Sequence, residues 1–211
     1  VRTMNVSRAP ALTYNSAHAE GRVRLAVELN TPGKSVDSID LVVRIGAVER
    51  LARRVRWMPT WQGDAPRITN IAILASDWGD LQTGTHQYII EARGYSSTET
   101  FTAHPADTGT FVMVNRTRSP YGRGWWVDGL EQLLPPVDTS DAVWIGGDGS
   151  TRRYRYVPGS ISVWVASPAV DRVDSLLKVG GEWHRRLRNG AFVVFDGFGQ
   201  HVRRHSRAGH V

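Results

Sequence analysis

Three features of the sequence predict an all-β protein. Strand-length segments alternate apolar and polar residues, glycine and proline turns punctuate them at short intervals, and few segments carry a helical period. In the first half, Val23, Leu25, Val27 and Leu29 alternate with Arg22, Arg24, Ala26 and Glu28, the period of two expected of a strand with one buried face. Thr31-Pro32-Gly33 ends that strand, because proline cannot donate to a ladder and glycine turns readily. Ile39, Leu41, Val43 and Ile45 repeat the alternation until Gly46 closes it. Further strands are expected at residues 53–57, 67–74, 86–95, 98–103 and 110–115. Short strands with a turn every 8 to 12 residues or so, sustained over roughly 100 residues, predict an Ig-like or fibronectin-like β-sandwich. The run from Leu81 through Gly84 to Tyr88 matches the corner such sandwiches use, and Tyr88 is expected to send its hydroxyl back to nearby backbone.

The second half is β-rich with a different texture, in which glycine and tryptophan replace clean alternation. Strands are expected at residues 143–145, 152–157, 163–166, 183–187 and 192–195. Pro135-Pro136, Gly146-Gly147, Pro158-Gly159, Gly180-Gly181 and Asn189-Gly190 supply the turns. Asn189-Gly190 predicts a type I′ hairpin, since that turn needs positive φ at both central residues. Residues 127–134, with Leu130, Leu133 and Leu134 on one side, predict one or two helical turns, and residues 171–177 could form the same. The change of texture, with the break at Ser119-Pro120, divides the chain into domains at 1–115 and 116–211.

Composition narrows the function classes. The 211 residues carry 41% hydrophobic and 22% charged side chains, which is ordinary for a globular protein and sufficient for a packed core. The apolar runs are strand-sized and fall short of the roughly 18 residues of a membrane-spanning helix. The chain opens Val1-Arg2-Thr3 without an apolar h-region, so a signal peptide is absent from the sequence or already removed. With no cysteine there is neither a disulfide framework nor a thiolate metal site. The net charge of +6 is arginine-based, lysine being confined to Lys34 and Lys178. Such charges either meet phosphates and carboxylates or simply face solvent along strands.

No constellation carries catalytic chemistry. There is no G-x-S-x-G elbow, and the seven histidines are scattered. His201 and His205 are four apart, a metal-pair spacing on a helix but not on the strand expected there. Gly146-Gly147-Asp148-Gly149-Ser150 has the look of a calcium loop but holds one carboxylate, so Asp148 is expected to cap a tight turn. Catalytic residues, metal sites and cofactors are therefore not expected. Among the tryptophans, Trp57 and Trp61 near Arg53, Arg54 and Arg56, and Trp125-Trp126 beside Arg123, could stack on sugars or bases. Adjacent Trp125 and Trp126 must point to opposite faces of a strand. Trp61, Trp126 and Arg123 are the ligand-binding candidates.

Two stretches carry a family resemblance. The first has Arg118, Ser119, Pro120, Tyr121, Gly122, Gly124 and Trp125, followed by Gly147, Asp148, Gly149, Ser150 and Arg152. The second has Phe195, Asp196 and Gly199, with Gly209 beyond. Together they resemble the start of an RHS/YD-repeat shell, with its R-x-S-P-F/Y-G-x-G-W motif, its G-D-G-S-x-R hairpin and a first F/Y-D-x-x-G repeat. The resemblance implies an Ig-like sandwich followed by an RHS-type plug or first shell segment with one YD-like unit. It also implies a structural, non-catalytic part of a secreted or bacterial cell-surface protein. Its partners would be further repeats of the same polypeptide or other copies of the chain, and in toxins of this kind a C-terminal toxic cargo. Repeats of this type bury a face only by stacking, so Phe192, Val194 and Phe195 are expected near an unprotected edge. The alternative is a carbohydrate- or nucleic-acid-binding sandwich using tryptophan and arginine on a sheet face, with nucleic acid the less expected ligand.

Overall fold

The computed structural model describes residues 12–14, 19–29, 35–62, 67–95, 100–102, 107–167 and 174–208. It is all-β, and a 3-10 turn at Ala75–Trp78 joins the strands among the named elements. The chain divides into two compact units after Gly124, the second taking in the short early strand β1 (Leu12–Tyr14).

In the first unit β2 (Arg22–Leu29), β3 (Ser35–Ile45), β4 (Val48–Gln62) and β5 (Arg67–Leu74) are followed by β6 (Gly84–Tyr95), β7 (Thr100–Thr102) and β8 (Asp107–Met113). β2 pairs antiparallel with β5. A second sheet runs β4-β3-β6-β7, with β8 also paired to β6. Both sheets feed one core: Val36, Ile39, Leu41, Val43 and Ile45 from β3, Ile71 and Ile73 from β5, Tyr88 and Ile90 from β6, Phe111 and Met113 from β8. The Tyr88 ring lies across Gly109 on β8, where a Cβ would come within 2.6 Å of the phenol oxygen. The glycine makes room for the ring, and the expected return hydrogen bond is not among the described contacts of Tyr88. Asn115 then ties the end of β8 down. It donates through Nδ2 to Asp80 Oδ1 (2.9 Å) and the Leu81 carbonyl (2.8 Å), and its Oδ1 accepts from Thr117 N (3.0 Å).

The second unit opens with β9 (Trp125–Val127), paired to β1. Eight strands follow: β10 (Gln132–Leu134), β11 (Ala142–Ile145), β12 (Thr151–Tyr156), β13 (Val163–Ser167), β14 (Ser175–Val179), β15 (Glu182–Arg186), β16 (Phe192–Phe195) and β17 (His201–His205). Each pairs antiparallel with the next, and the sheet curls until Gln132 bridges Gln200, giving a nearly closed, barrel-like meander. The seam is short. Leu133 N donates to the Gly199 carbonyl (2.8 Å) and Glu131 N to His201 Nδ1 (3.2 Å). Leu133, Ala142, Tyr154, Trp164, Ala166, Leu176, Trp183, Val193 and Phe195 fill the interior. Trp164 meets Tyr156 and Trp183 edge-on, at 5.3 and 5.1 Å between centroids.

Three expectations need correction. The helical turns at 127–134 are absent: Gly129, at φ +83°, breaks the chain after β9, and Leu133 sits on strand β10. Residues 171–177, which could have formed helical turns, contribute strand β14 from Ser175 onward, in keeping with the extended structure that the family resemblance implies there, and 171–173 lie outside the described residues. Asn189-Gly190 is not type I′, because only Gly190 takes positive φ (+83°). The type I′ pattern falls at Gly180-Gly181 (φ +57° and +90°), the two-residue loop between Val179 and Glu182.

The hairpin at Asn189 shares its design with two others. In each, the fourth residue, a left-handed glycine, donates its N–H to the first carbonyl, and the first N–H reaches the fifth carbonyl: Gly146 to Ser150, Leu187 to Ala191, Asp196 to Gln200. This is a type I turn closed by a glycine bulge. Gly149, Gly190 and Gly199 hold φ of +81°, +83° and +85°. An Asx side chain caps every one: Asp148 accepts from Ser150 N, Asn189 from Ala191 N, and Asp196 from Phe198 N and Gln200 N, all at 2.9 to 3.0 Å.

The apolar strand Phe192–Phe195 is interior rather than marginal, since β15 and β17 flank it and Val194 and Phe195 are fully buried. Within the eight-stranded sheet the open edge belongs to β17 beyond the Gln200 bridge.

Gly199 serves both the turn and the seam, because a Cβ there would overlap the Leu133 carbonyl. Gly199→Ala is expected to cost more than about 2 kcal/mol in urea unfolding. Gly159→Ala, at φ +80° but with open space around it, should cost about 1 kcal/mol.

Candidate functional site

The first motif stretch is divided between the units: Arg118 to Gly124 lie in the first, while Trp125 and Gly147 to Arg152 lie in the second together with the YD-like stretch. Arg118, Ser119, Pro120, Tyr121, Gly122, Arg123 and Gly124 wrap into successive turns. Ser119 N and Gly124 N both donate to the Arg116 carbonyl, at 3.1 and 3.0 Å, and Gly122 N donates to the Ser119 carbonyl (3.1 Å). Tyr121 N donates to Ser119 Oγ (3.2 Å). Gly122 and Gly124 supply the positive φ that this path needs, +106° and +81°. Arg118 faces the half-buried Asp80 at 3.3 Å, and Arg123 faces Glu20 at 3.4 Å as an exposed pair of little energetic weight.

Trp125 and Trp126 point to opposite faces of β9, as expected, but in the order opposite to the ligand assignment. Trp126 is 9% exposed and donates Nε1 to the Leu130 carbonyl (2.7 Å), whereas Trp125 is 42% exposed. The side chains of Trp57 and Trp61 lie outside the described residues. A stacking platform built on Trp126 is therefore excluded by its burial.

The G-D-G-S-x-R hairpin and the YD-like stretch serve the frame at their described positions. Gly147 packs so tightly on the chain of β9 that a Cβ would come within 2.6 Å of the Val127 carbonyl. Asp148 accepts from both Ser150 N (2.9 Å) and Ser150 Oγ (2.6 Å), which makes it a turn cap with its near-side oxygen occupied. Asp196 and Gly199 build the last hairpin, and Phe195 is core. His201 packs edge-on against Phe195 while His205 stacks on Phe192. Phe192 and Phe195 alternate to opposite faces of β16, so the histidines do not converge, and no trio of metal-ligating side chains occurs among the described residues.

Arg152, the arginine of the hairpin motif, leads to the most concentrated chemistry in the chain. Its Nη1 donates to Asp174 Oδ2 (2.8 Å), and Arg185 Nη2 donates to the same oxygen (2.8 Å). Arg185 Nη1 donates to Glu131 Oε2 (2.9 Å) and its Nε to the Tyr154 hydroxyl (2.9 Å). Trp144 adds its Nε1 to Glu131 (2.7 Å) and lays its ring under the guanidinium carbon at 4.1 Å. Glu131, Asp174 and Arg185 are all buried. These positions are inward-facing: Tyr154 opposes Ala166 across the β12–β13 pair, and Arg185 opposes Leu176 and Val193 on its two neighbours. Two arginines meet two carboxylates, so the group is neutral overall. Burial works against the Arg185 charge, but Tyr154, Glu131 and Asp174 outweigh it and raise its pKa above the ordinary guanidinium value. Burial also pushes the Tyr154 phenol up.

The arrangement is a clamp rather than a reaction centre. Three N–H directions of Arg185 are committed, both carboxylates are engaged by arginine, and no nucleophile with an adjacent base stands in the cluster. Sequence reasoning reached Arg152 and missed Glu131, Asp174, Tyr154, Trp144 and Arg185. The available signal was a charged residue at an inward parity, as in Trp183-x-Arg185 and Glu131-x-Leu133.

Comparison with family models, curated proteins and solved structures returns no match.

Removing Arg185 leaves the buried Glu131 without its cation and Asp174 with Arg152 alone. Arg185→Met is expected to destabilise the second unit by about 3 to 5 kcal/mol in urea unfolding, whereas the surface change Arg123→Met should stay within about 0.5 kcal/mol. His201 gives a pH dependence. Burial, reinforced by Arg204 and opposed by Glu131, lowers its pKa from 6.5, so the fold favours the neutral ring that accepts from Glu131 N. That contribution is fully present above the unfolded-state value and is lost as pH falls through the lower folded-state value. Thermal melts from neutral to mildly acidic pH should show Tm falling in the wild type, and less so in His201→Asn.

Proposed function

We propose that the chain is a structural, non-catalytic segment of an RHS/YD-repeat protein, secreted or at a bacterial cell surface. In this reading an Ig-like sandwich is followed by the first hairpins of a β-shell. The observation that carries it is the hairpin meander of the second unit. Three of its turns share one glycine-closed backbone path with an Asx cap, supplied from the third position by Asp148 and Asn189 and from the first by Asp196, and the last of them is the D-x-x-G of the YD-like stretch, Asp196 to Gly199. A sheet built this way grows by adding hairpins to its last strand, and β17 offers an open edge for that purpose. The motif residues that resemble the family also act as parts of the frame: Gly147 as a packing contact, Asp148 as a cap, Arg152 as a ligand of the buried Asp174. The partners of such a segment are further repeats or further copies, and a toxic cargo belongs to the same reading. The ligand-binding alternative loses weight with the burial of Trp126.

Sedimentation of the chain over a wide concentration range tests the proposal. Growth into dimers or longer assemblies, abolished by proline at the outward-facing amide positions between Val202 and His205, is the expected result. A compact monomer at every concentration, binding a glycan saturably, overturns it.

A further inference from the structure

The outer face of the last three strands carries a row of rings and an excess of arginine. Arg186 on β15, Phe192 on β16 and His205 on β17 oppose one another in register. Phe192 lies between two imidazoles, His184 at 5.6 Å and His205 at 4.3 Å between centroids, with interplanar angles of 17° and 13°. The rings are thus stacked in strand order and end on His205. Because β17 is the last strand of the sheet, the second face of that imidazole is turned to the open edge. Arg203 Nε donates to His205 Nε2 (3.2 Å) at the rim of the ring and not on its face. Around this row stand Arg186, Arg188, Arg204 and Arg207, all exposed. Arg188 is on the turn between β15 and β16, and Arg207 lies over that turn, where a Cβ on Gly190 would be 3.3 Å from its Cγ.

The local charge is positive. No carboxylate side chain occurs between Glu182 and Asp196 or after Asp196. Glu182 is held by Arg203 Nη1 (3.1 Å) and Nη2 (2.9 Å), Glu131 and Asp174 are buried in the clamp, and Asp141 faces Arg153 at 3.6 Å. Asp138 and Asp196 follow β10 and β16 and so belong to the opposite end of the sheet. Asp128 and Asp148 lie together at the turn after β11, across the seam, and even counted in full they leave the four arginines in excess. Residues 168–173, outside the described residues, add one aspartate and one arginine and leave the sum unchanged.

We infer that this corner of the sheet binds single-stranded nucleic acid, with Arg186, Arg188 and Arg207 on its phosphates and the free face of His205 under one unpaired base. Guanidinium groups without a carboxylate partner match phosphate oxygens in charge and in fork geometry. A ladder of parallel rings that stops at an open edge is continued by another flat ring, and a base is one. In a duplex both faces of each base are already stacked, so the strand must be single. A bilayer is the poorer fit, because the tip of the turn is Arg188, Asn189 and Gly190 and holds no apolar group to insert. A neutral glycan would leave the arginines unanswered. The inference does not rest on the repeat-protein reading: the arginines at the turn lie outside any strand added to β17, and the face of His205 is open while β17 is the last strand.

The test is fluorescence anisotropy of a labelled thymidine oligonucleotide of about 20 residues, titrated with the whole chain over a range of salt. Arg186→Ser with Arg188→Ser and Arg207→Ser should weaken binding at low salt by about tenfold or more and reduce the slope of log K against log salt by about 2. A control with the same loss of charge, Arg22→Ser with Arg24→Ser and Arg155→Ser, should stay within about twofold of the wild type. The base is tested with an abasic strand of equal length. The wild type should prefer the thymidine strand by about fivefold or more, His205→Ala should lose that preference, and His205→Tyr, which keeps a flat ring, should restore it. Thermal melts coinciding with that of the wild type are expected for the two arginine triples, whose side chains are exposed. The inference is overturned if the wild type binds no oligonucleotide or binds only heparin. It is equally overturned if duplex is preferred to single strand, if the control triple loses as much as the corner triple, or if His205→Ala keeps the preference for bases.

Discussion

The second unit depends on the guanidinium of Arg185. A sheet rolled nearly into a barrel encloses little room, and most of it is taken by Trp164, Trp183, Tyr154 and Phe195. Into that space the chain also places four charges, which is costly unless each is answered. Arg185 answers Glu131, Asp174 and Tyr154 at once, and Arg152 shares Asp174. A cluster of this kind is weak evidence for stability, because well-packed apolar groups of equal volume often serve as well. Its effect is on position. It joins the approach to β10, strands β12 and β15, and the approach to β14, so four separate parts of the meander share one set of directional bonds.

The same approach to β10 forms the seam. Glu131 offers its carboxylate to the clamp and its amide to His201, and the next two residues meet Gln200 and Gly199. Closure of the sheet is thus coupled to the buried charges through one residue. It is also coupled to the turn design, since Gly199 is both the left-handed residue of the last hairpin and the point where the Leu133 carbonyl approaches too closely for a side chain. In the first unit Asn115 has a comparable joining role, linking the end of β8 to the loop before β6.

Much of the strand pattern was legible because a half-buried strand imposes a period of two on its apolar residues. Strand β5 matches the expected 67–74, and β16 matches 192–195. The misses share a cause. Glu131 just before β10 and Leu133 within it take the buried positions, so the alternation is hidden by a charge where an apolar residue is expected, and the remaining leucines then mimic a helical period. Arg185 and Asp174 hide in the same way. Such residues become recognisable only with their counter-charges, which come from strands far apart in sequence. The turn at Asn189 was located correctly, yet its type was set by the three-residue loop that the register of β15 and β16 demands.

The sequence by itself determined that the chain is all-β, where many of its strands lie, and that glycines and Asx residues turn them, because these follow from local backbone preference and alternation. It also determined that Trp125 and Trp126 face opposite ways. Only the tertiary structure decided which of the two is buried, and which strand of the eight-stranded sheet is left at the edge. Those outcomes depend on register and closure, which are properties of pairs of strands rather than of any one segment, and a one-residue change of register exchanges the two faces of a strand.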